Sequence, residues 1–258
     1  MMMMIGASAQ TTRTWDFTAW SEETLANLAE DAAKNTANTT ADANWTSFEK
    51  TSSESATKGC YWQAITESGS VTANGKAIAE LEGLTFTNTT ARALAIATNY
   101  SSTSLGEYKG SKYLWLGSKN TNYFTISDVE DGSTIEVGIE SHKPSEGRGI
   151  QLYIDQYTEG AYLKDPDGIA VTTPKTYEVQ TWLVNAGDGD AHNIVVRNTN
   201  GCHLYYIKVT SPASETTSAK NAIAEQENGV IYDMAGKEVK NPLKDQMYIQ
   251  NGKKFIKK

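Results

Sequence analysis

Residues 133–155 read Ser-Thr-Ile-Glu-Val-Gly-Ile-Glu-Ser-His-Lys-Pro-Ser-Glu-Gly-Arg-Gly-Ile-Gln-Leu-Tyr-Ile-Asp, and this stretch decides the fold. Ile135, Val137 and Ile139 alternate with polar or small residues, and Ile150, Leu152 and Ile154 repeat the pattern. A period of two marks strands with one buried face. The segment between them is too long for a tight hairpin and is broken by Pro144, Gly147 and Gly149. It carries His142, Lys143 and Arg148, a cationic cluster in an acidic chain.

Outward from that stretch the same pattern recurs. Strand patterns cover residues 60–65, 78–86, 92–98, 113–116, 123–126, 177–184, 193–197 and 202–210. Turn signals separate them: Asn74-Gly75, Asp131-Gly132, Asp167-Gly168, Gly187-Asp188-Gly189 and Asn200-Gly201. Many short strands without helices between them predict an all-β jelly-roll sandwich. One short helix precedes them. Ser21 is placed to cap it, Glu22 and Glu23 suit its first turn, and Leu25, Leu28 and Ala32 form its apolar face to about Lys34. Trp15, Asp16 and Phe17 before it read as a first strand.

The 258 residues carry a formal charge of −8. From Lys220 onward eight lysines face five acids, a surplus of three positive charges, so the preceding body is at −11. An acidic body of this kind argues against a nucleic-acid partner, which asks for a basic face. No run approaches the ~20 apolar residues of a membrane-spanning helix. Ala7-Ser8-Ala9 has the form of a signal-peptidase site, so residues 1–9 read as a signal-peptide remnant and Gln10 as the mature start of a secreted or cell-surface protein. Residues 10–210 then form the sandwich, 211–222 a Ser/Thr/Ala linker, and 223–258 a small separate β unit with a hairpin signal at Asn251-Gly252.

Cys60 and Cys202 each lie beside a strand pattern. In a secreted chain they can pair, closing a long loop worth ~4–5 kcal/mol by chain entropy, or remain two small buried hydrophobes. Asp165, Asp167, Asp188 and Asp190 sit in Asp/Gly turns that offer oxygens to a structural Ca²⁺, although such turns need no metal to form. The three histidines have no zinc spacing, and no cofactor motif is present.

Several short stretches, in order, resemble a known type of domain: Thr14-Trp-Asp-Phe-Thr-Ala-Trp-Ser21, Ala79-Glu-Leu-Glu-Gly-Leu84, Tyr113-Leu-Trp-Leu-Gly117, Glu140-Ser-His-Lys-Pro144 and Thr199-Asn-Gly-Cys-His203. Over roughly residues 12–210 they are similar to the non-catalytic β-sandwich domain of secreted pectate-lyase-associated bacterial proteins. The resemblance implies carbohydrate binding and transfers no binding residues. Val230-Ile-Tyr-Asp-Met-Ala-Gly-Lys-Glu-Val239 and Met247-Tyr-Ile-Gln-Asn-Gly-Lys-Lys254 resemble the last half of a C-terminal sorting domain, which implies a partner in the secretion machinery.

If Leu114 and Leu116 face the core, Tyr113 and Trp115 face outward together and offer a stacking platform for sugar rings; the opposite phase buries them. His142, Lys143 and Arg148 are suited to the carboxylates of a uronic-acid polysaccharide, or form an ordinary solvated loop with Arg148 paired to Glu146 or Glu140. No catalytic residue is assigned. Among the acids Glu80, Glu82, Glu107, Glu136 and Glu140 no spacing singles out a hydrolase pair, and no nucleophile motif occurs. The leading expectation is a module for plant cell-wall polysaccharide, with pectin or another uronic-acid glycan the favoured class. A cell-surface structural or adhesion protein, and a polysaccharide lyase or glycoside hydrolase, remain open beside it.

Overall fold

The computed structural model describes residues 10–34, 46–48, 58–61, 65–67, 70–88, 94–98, 112–117, 122–213, 230–250 and 253–257. The signal-peptide remnant, most of the linker and the Asn251-Gly252 turn lie outside them. The chain divides into two compact units, residues 10–212 and a second that holds residues 213–258.

In chain order the first unit contains β1 (Thr12–Asp16), α1 (Glu22–Lys34), β2 (Thr46–Ser47), β3 (Lys58–Tyr61), β4 (Ile65–Glu67), β5 (Ser70–Ala73), β6 (Lys76–Ala77), a 3₁₀ turn (Ala79–Leu81), β7 (Leu84–Asn88), β8 (Leu94–Thr98), β9 (Lys112–Leu116), β10 (Asn122–Glu130), β11 (Thr134–Ser141), β12 (Ile150–Ile154), β13 (Glu178–Leu183), β14 (Ala191–Asn198) and β15 (Cys202–Thr210). The large sheet has the order β13-β11-β15-β9-β8-β3-β2, with β1 also paired to β15, and the small sheet has β12-β14-β10-β7. β4, β5 and β6 form a third, short sheet. From β10 to β15 each connection crosses from one main sheet to the other, the winding of a jelly roll.

The alternation explains the core. Ile135, Val137 and Ile139 of β11, Leu114 and Leu116 of β9, and Cys202, Leu204, Ile207 and Val209 of β15 meet Leu152 of β12, Ile194 and Val196 of β14, and Phe124 and Ile126 of β10. In β15 the step from Leu204 to Ile207 breaks the period. A β-bulge, seen as a register shift against β11 between Gly138 and Ile139, turns both Tyr205 and Tyr206 to the outer side. Gly138 makes this possible, because a Cβ there would sit 2.5 Å from the Tyr206 ring.

The Ser21 cap forms as expected, its Oγ accepting the Thr24 amide at 3.2 Å. Glu80 completes the cap from the 3₁₀ turn, accepting the Ser21 amide and the Thr24 hydroxyl. The buried stripe of α1 is Thr24, Leu28 and Ala32, so Thr24 takes the place expected for Leu25.

Of the two readings of the cysteines, the disulfide is corrected and the pair of buried hydrophobes holds. Cys60 and Cys202 are both free and buried. β8 and β9 lie between β3 and β15, three strand spacings of ~4.8 Å each, far beyond the reach of a disulfide.

In the second unit β16 (Ile231–Asp233), β17 (Met247–Gln250) and β18 (Lys253–Ile256) form an antiparallel sheet. Tyr248 is its buried centre, packed on Phe255, with its hydroxyl accepting the Leu243 amide. No helix among the described residues is long and apolar enough to cross a membrane.

Candidate functional site: a histidine and aromatic face on the large sheet

Strand register assembles the site. Across four strands of the outer face, Ala95 of β8 lies opposite Trp115 of β9, Trp115 opposite His203 of β15, and His203 opposite Glu140 of β11. Small alanines at 95 and 97 leave room for the rings of Trp115 and Tyr113 beside them. The segment between β11 and β12 folds back over the end of this row. Its His142 amide donates to the Gly201 carbonyl at 3.1 Å and its Arg148 amide to the Pro174 carbonyl at 3.0 Å. The buried Ser141 hydroxyl takes the Lys143 amide at 3.0 Å and lies 2.7 Å from the Glu146 carbonyl. Gly147 and Gly149 allow the close approach, since a Cβ at either would come within 3 Å of Thr173 or Pro174.

Four rings interlock there. Tyr113 stacks on His203 at 4.1 Å between centroids, and Trp115 stacks on His142 at 4.6 Å. The two imidazoles meet edge to face, with His142 Nδ1 3.1 Å from His203 Nε2. His203 Nδ1 lies 3.7 Å from Glu140 Oε2, longer than a hydrogen bond but a close electrostatic contact. The same Glu140 oxygen accepts the Tyr205 hydroxyl at 2.6 Å.

This arrangement orders the protons. The Glu140 carboxylate favours a proton on His203 Nδ1. His203 Nε2 is then an acceptor, and His142 Nδ1–H is its donor. His142 Nε2 is left with a lone pair and no hydrogen-bond partner among the described residues. His203 and Tyr205 hold the Glu140 carboxyl below its ordinary pKa. Burial, together with His203 and Arg148, holds His142 below the ordinary imidazole value. Burial and the Glu140 carboxylate push the Tyr205 phenol far up, so it stays a donor.

The five residues expected to bind ligand are thus brought to one corner, with one correction. Tyr113 does face away from the core with Trp115, yet it is only 4% exposed and forms the layer beneath His203, not an open platform. Of the partners expected for Arg148, Glu146 is the one present, its Oε2 2.9 Å from Arg148 and 3.6 Å from Lys143. Trp115 is half-buried, and His142, Lys143 and the edge of Arg148 reach solvent. A Cβ at Gly201 would lie 3.6 Å from Arg148 Nη1, His142 Cβ and Trp115 Nε1 alike, so the glycine is the floor on which the three converge. His203, Glu140 and Tyr205 were not assigned from sequence. The outward phase carried a signal for His203 on β15 and for Glu140 on β11, which the sequence also offered as a partner of Arg148.

Two of the oxygens offered for calcium are in other use. Asp165 Oδ1 accepts the amides of Asp167 and Ile169, and Asp188 Oδ1 accepts the Asp190 amide and faces His192 Nε2 at 3.0 Å. Among the described residues no three Asp, Glu, His or Cys side chains gather to hold a metal.

No family model matches the chain, and no curated protein does. Solved structures give weak likenesses. A family 6 carbohydrate-binding module shares 11% identity over 49% of this chain and 86% of its own, at a TM-score of 0.34. The family 35 module of Paenibacillus barcinonensis shares 13% over 51% and 95%, at 0.32. The C-terminal family 6 module of a Zobellia galactanivorans laminarinase shares 12% over 50% and 99%, at 0.30. The fold rests on the strand pairing above, and any reading of function rests on the residues.

Proposed function

We propose that this protein is a secreted carbohydrate-binding module for plant cell-wall polysaccharide, with pectin or another uronic-acid glycan its favoured class, and that it takes the chain at the corner of Trp115, His142, Lys143 and Arg148. The observation that carries this is the Trp115–His142 stack bordered by fixed polar groups. Stacked rings offer an apolar surface to the C–H face of a sugar. Around them His142 Nε2 is an acceptor, and Lys143 and Arg148 are donors.

The carboxylate of a uronate would replace Glu146 as the partner of Arg148 and Lys143. That exchange is favoured because Glu146 is half-exposed and can turn to solvent while Arg148 keeps an anionic partner. The acidic body repels a polyuronate at long range, so attraction acts within roughly a Debye length, ~8 Å at physiological salt. Secretion is supported by Ala7-Ser8-Ala9, and N-terminal sequencing of exported protein should begin at Gln10. The tail, by its sorting-like sequence, is assigned to the secretion machinery.

The test is a panel of neutral and acidic polysaccharides scored for binding and product release together. Trp115→Ala should weaken acidic chains at least tenfold. Arg148→Ala should weaken acidic chains alone, with an effect that shrinks as salt rises. Acidic-chain binding untouched by both variants would remove this site. The ordered Glu140, His203 and His142 chain also favours a second reading, an enzyme with His142 as base, which the same panel decides by product release.

A further inference from the structure

We infer that the outer face of the small sheet is a second saccharide site, built for a short neutral sugar. This extends the carbohydrate reading to a place that does not depend on the Trp115 corner. Its floor is the pair of Arg197 on β14 and Gln151 opposite it on β12, with Tyr123 of β10 flanking Arg197 outside the cleft. Tyr153 stands in the next row. The segment after β12 brings Tyr157, Glu159, Gly160 and Tyr162 over the floor, and the cleft they enclose measures about 370 Å³.

The chemistry of the walls is specific. The Arg197 guanidinium lies 3.9 Å from the Tyr157 ring centre and 5.8 Å from that of Tyr123, so two rings hold it in place. Its Nε is buried and has no acceptor. The Tyr153 hydroxyl donates to Gln151 Oε1 at 2.9 Å, which leaves the Gln151 amide nitrogen as a donor without a partner among the described residues. The Glu159 carboxylate likewise has no hydrogen-bond or ion-pair partner there. Tyr153 and Tyr157 meet edge to face at 5.0 Å, and Tyr157 is 48% exposed.

Interleaved donors and acceptors against tyrosine rings match the vicinal hydroxyls and apolar faces of a pyranose. One cation and one carboxylate give the cleft no net charge, so a uronate that paired with Arg197 would also face Glu159. The volume is near the low end of small-molecule sites, ~300–1,000 Å³, which fits one or two sugar rings and not a long chain.

The test is calorimetry of the full chain with neutral oligosaccharides (xylo-, cello- and manno-trioses) and with trigalacturonate. Tyr157→Ala removes an exposed ring and leaves the core alone. It should weaken the neutral ligand more than tenfold and trigalacturonate less than twofold. Gln151→Leu should weaken the same neutral ligand several-fold, and Trp115→Ala should leave it within twofold. The inference is overturned if no neutral ligand binds the unaltered protein, or if neutral binding survives Tyr157→Ala and Gln151→Leu. Loss of trigalacturonate binding in Trp115→Ala tests the first site separately, so either site can fail while the other stands.

Discussion

The two main sheets treat their outer faces in opposite ways. On the large sheet the rings cover one another: Tyr113 lies under His203, Trp115 against His142, and Tyr205 and Tyr206 are buried. Their hydroxyls are committed to Glu140 and Glu136. On the small sheet the rings stand around one arginine and leave a cleft between them. Both faces are polar-aromatic in composition, so composition alone does not make a cavity. What decides is whether a loop lies along the face or arches over it. Residues 142–149 are pinned down by Ser141, Gly201 and Pro174, whereas the segment after β12 stands above the floor row.

The largest effect should come from crowding the closed face. Gly138→Val places a Cβ 2.5 Å from the Tyr206 ring and should cost about 3 kcal/mol, read as a fall of several degrees in Tm. Thr125→Val, outward on the small sheet, should change stability by less than about 0.5 kcal/mol. Equal losses would show that the faces are packed alike. Next, Tyr205→Phe removes a hydrogen bond to an ionised carboxyl and should cost about 1.5 kcal/mol at neutral pH. Tyr157→Phe on the open face should cost next to nothing in chemical denaturation. A neutral Tyr205→Phe would mean that solvent replaces the phenol, and the closed description would fail.

A smaller contrast concerns two histidines. His142 has its pKa lowered by burial, His203 and Arg148, so its contribution to stability is present above the ordinary imidazole pKa and lost as pH falls through the lowered value. His192 lies 3.0 Å from both Asp188 and Asp155, which raise its pKa. Its contribution is complete below the ordinary imidazole pKa and lost as pH rises through the raised value. The two carboxyls are lowered in turn, so this clasp also weakens in strong acid as they protonate. Melting curves of His142→Gln and His192→Gln against pH should therefore diverge from the unaltered protein in opposite directions around neutrality. Parallel curves would dissolve the distinction.

The sandwich was legible because alternation is local: Ile135, Val137, Ile139 and Cys202 through Leu204 each carry their face in the sequence. The outward phase of Tyr113 and Trp115 was legible too, on the supposition that the leucines face inward. Burial of Tyr113 was not, since it depends on His203, ninety residues away. The bulge that turns out both Tyr205 and Tyr206 left no local sign, because the room for it comes from Gly138 on the neighbouring strand. Glu146 as partner of Arg148 was one of the alternatives readable from a spacing of two. The small-sheet cleft was invisible because Gln151 and Arg197 meet through strand pairing and Tyr157 reaches them from the segment after β12. The choice between a disulfide and two buried hydrophobes stayed open for the same reason, as strand order, not strand identity, sets the separation of the cysteines.

Those two thiols have a practical consequence. Both are sealed in the core, and burial pushes Cys60 up to about 12 and Cys202 up as well, so neither is a nucleophile while the protein is folded. Alkylating reagents should reach them only through opening, and because Cys60 and Cys202 sit on different strands, their separate labelling rates would time the opening of the β3 side and the β15 centre of one sheet. The molecule carries its own pair of clocks, and reductant does not reset them.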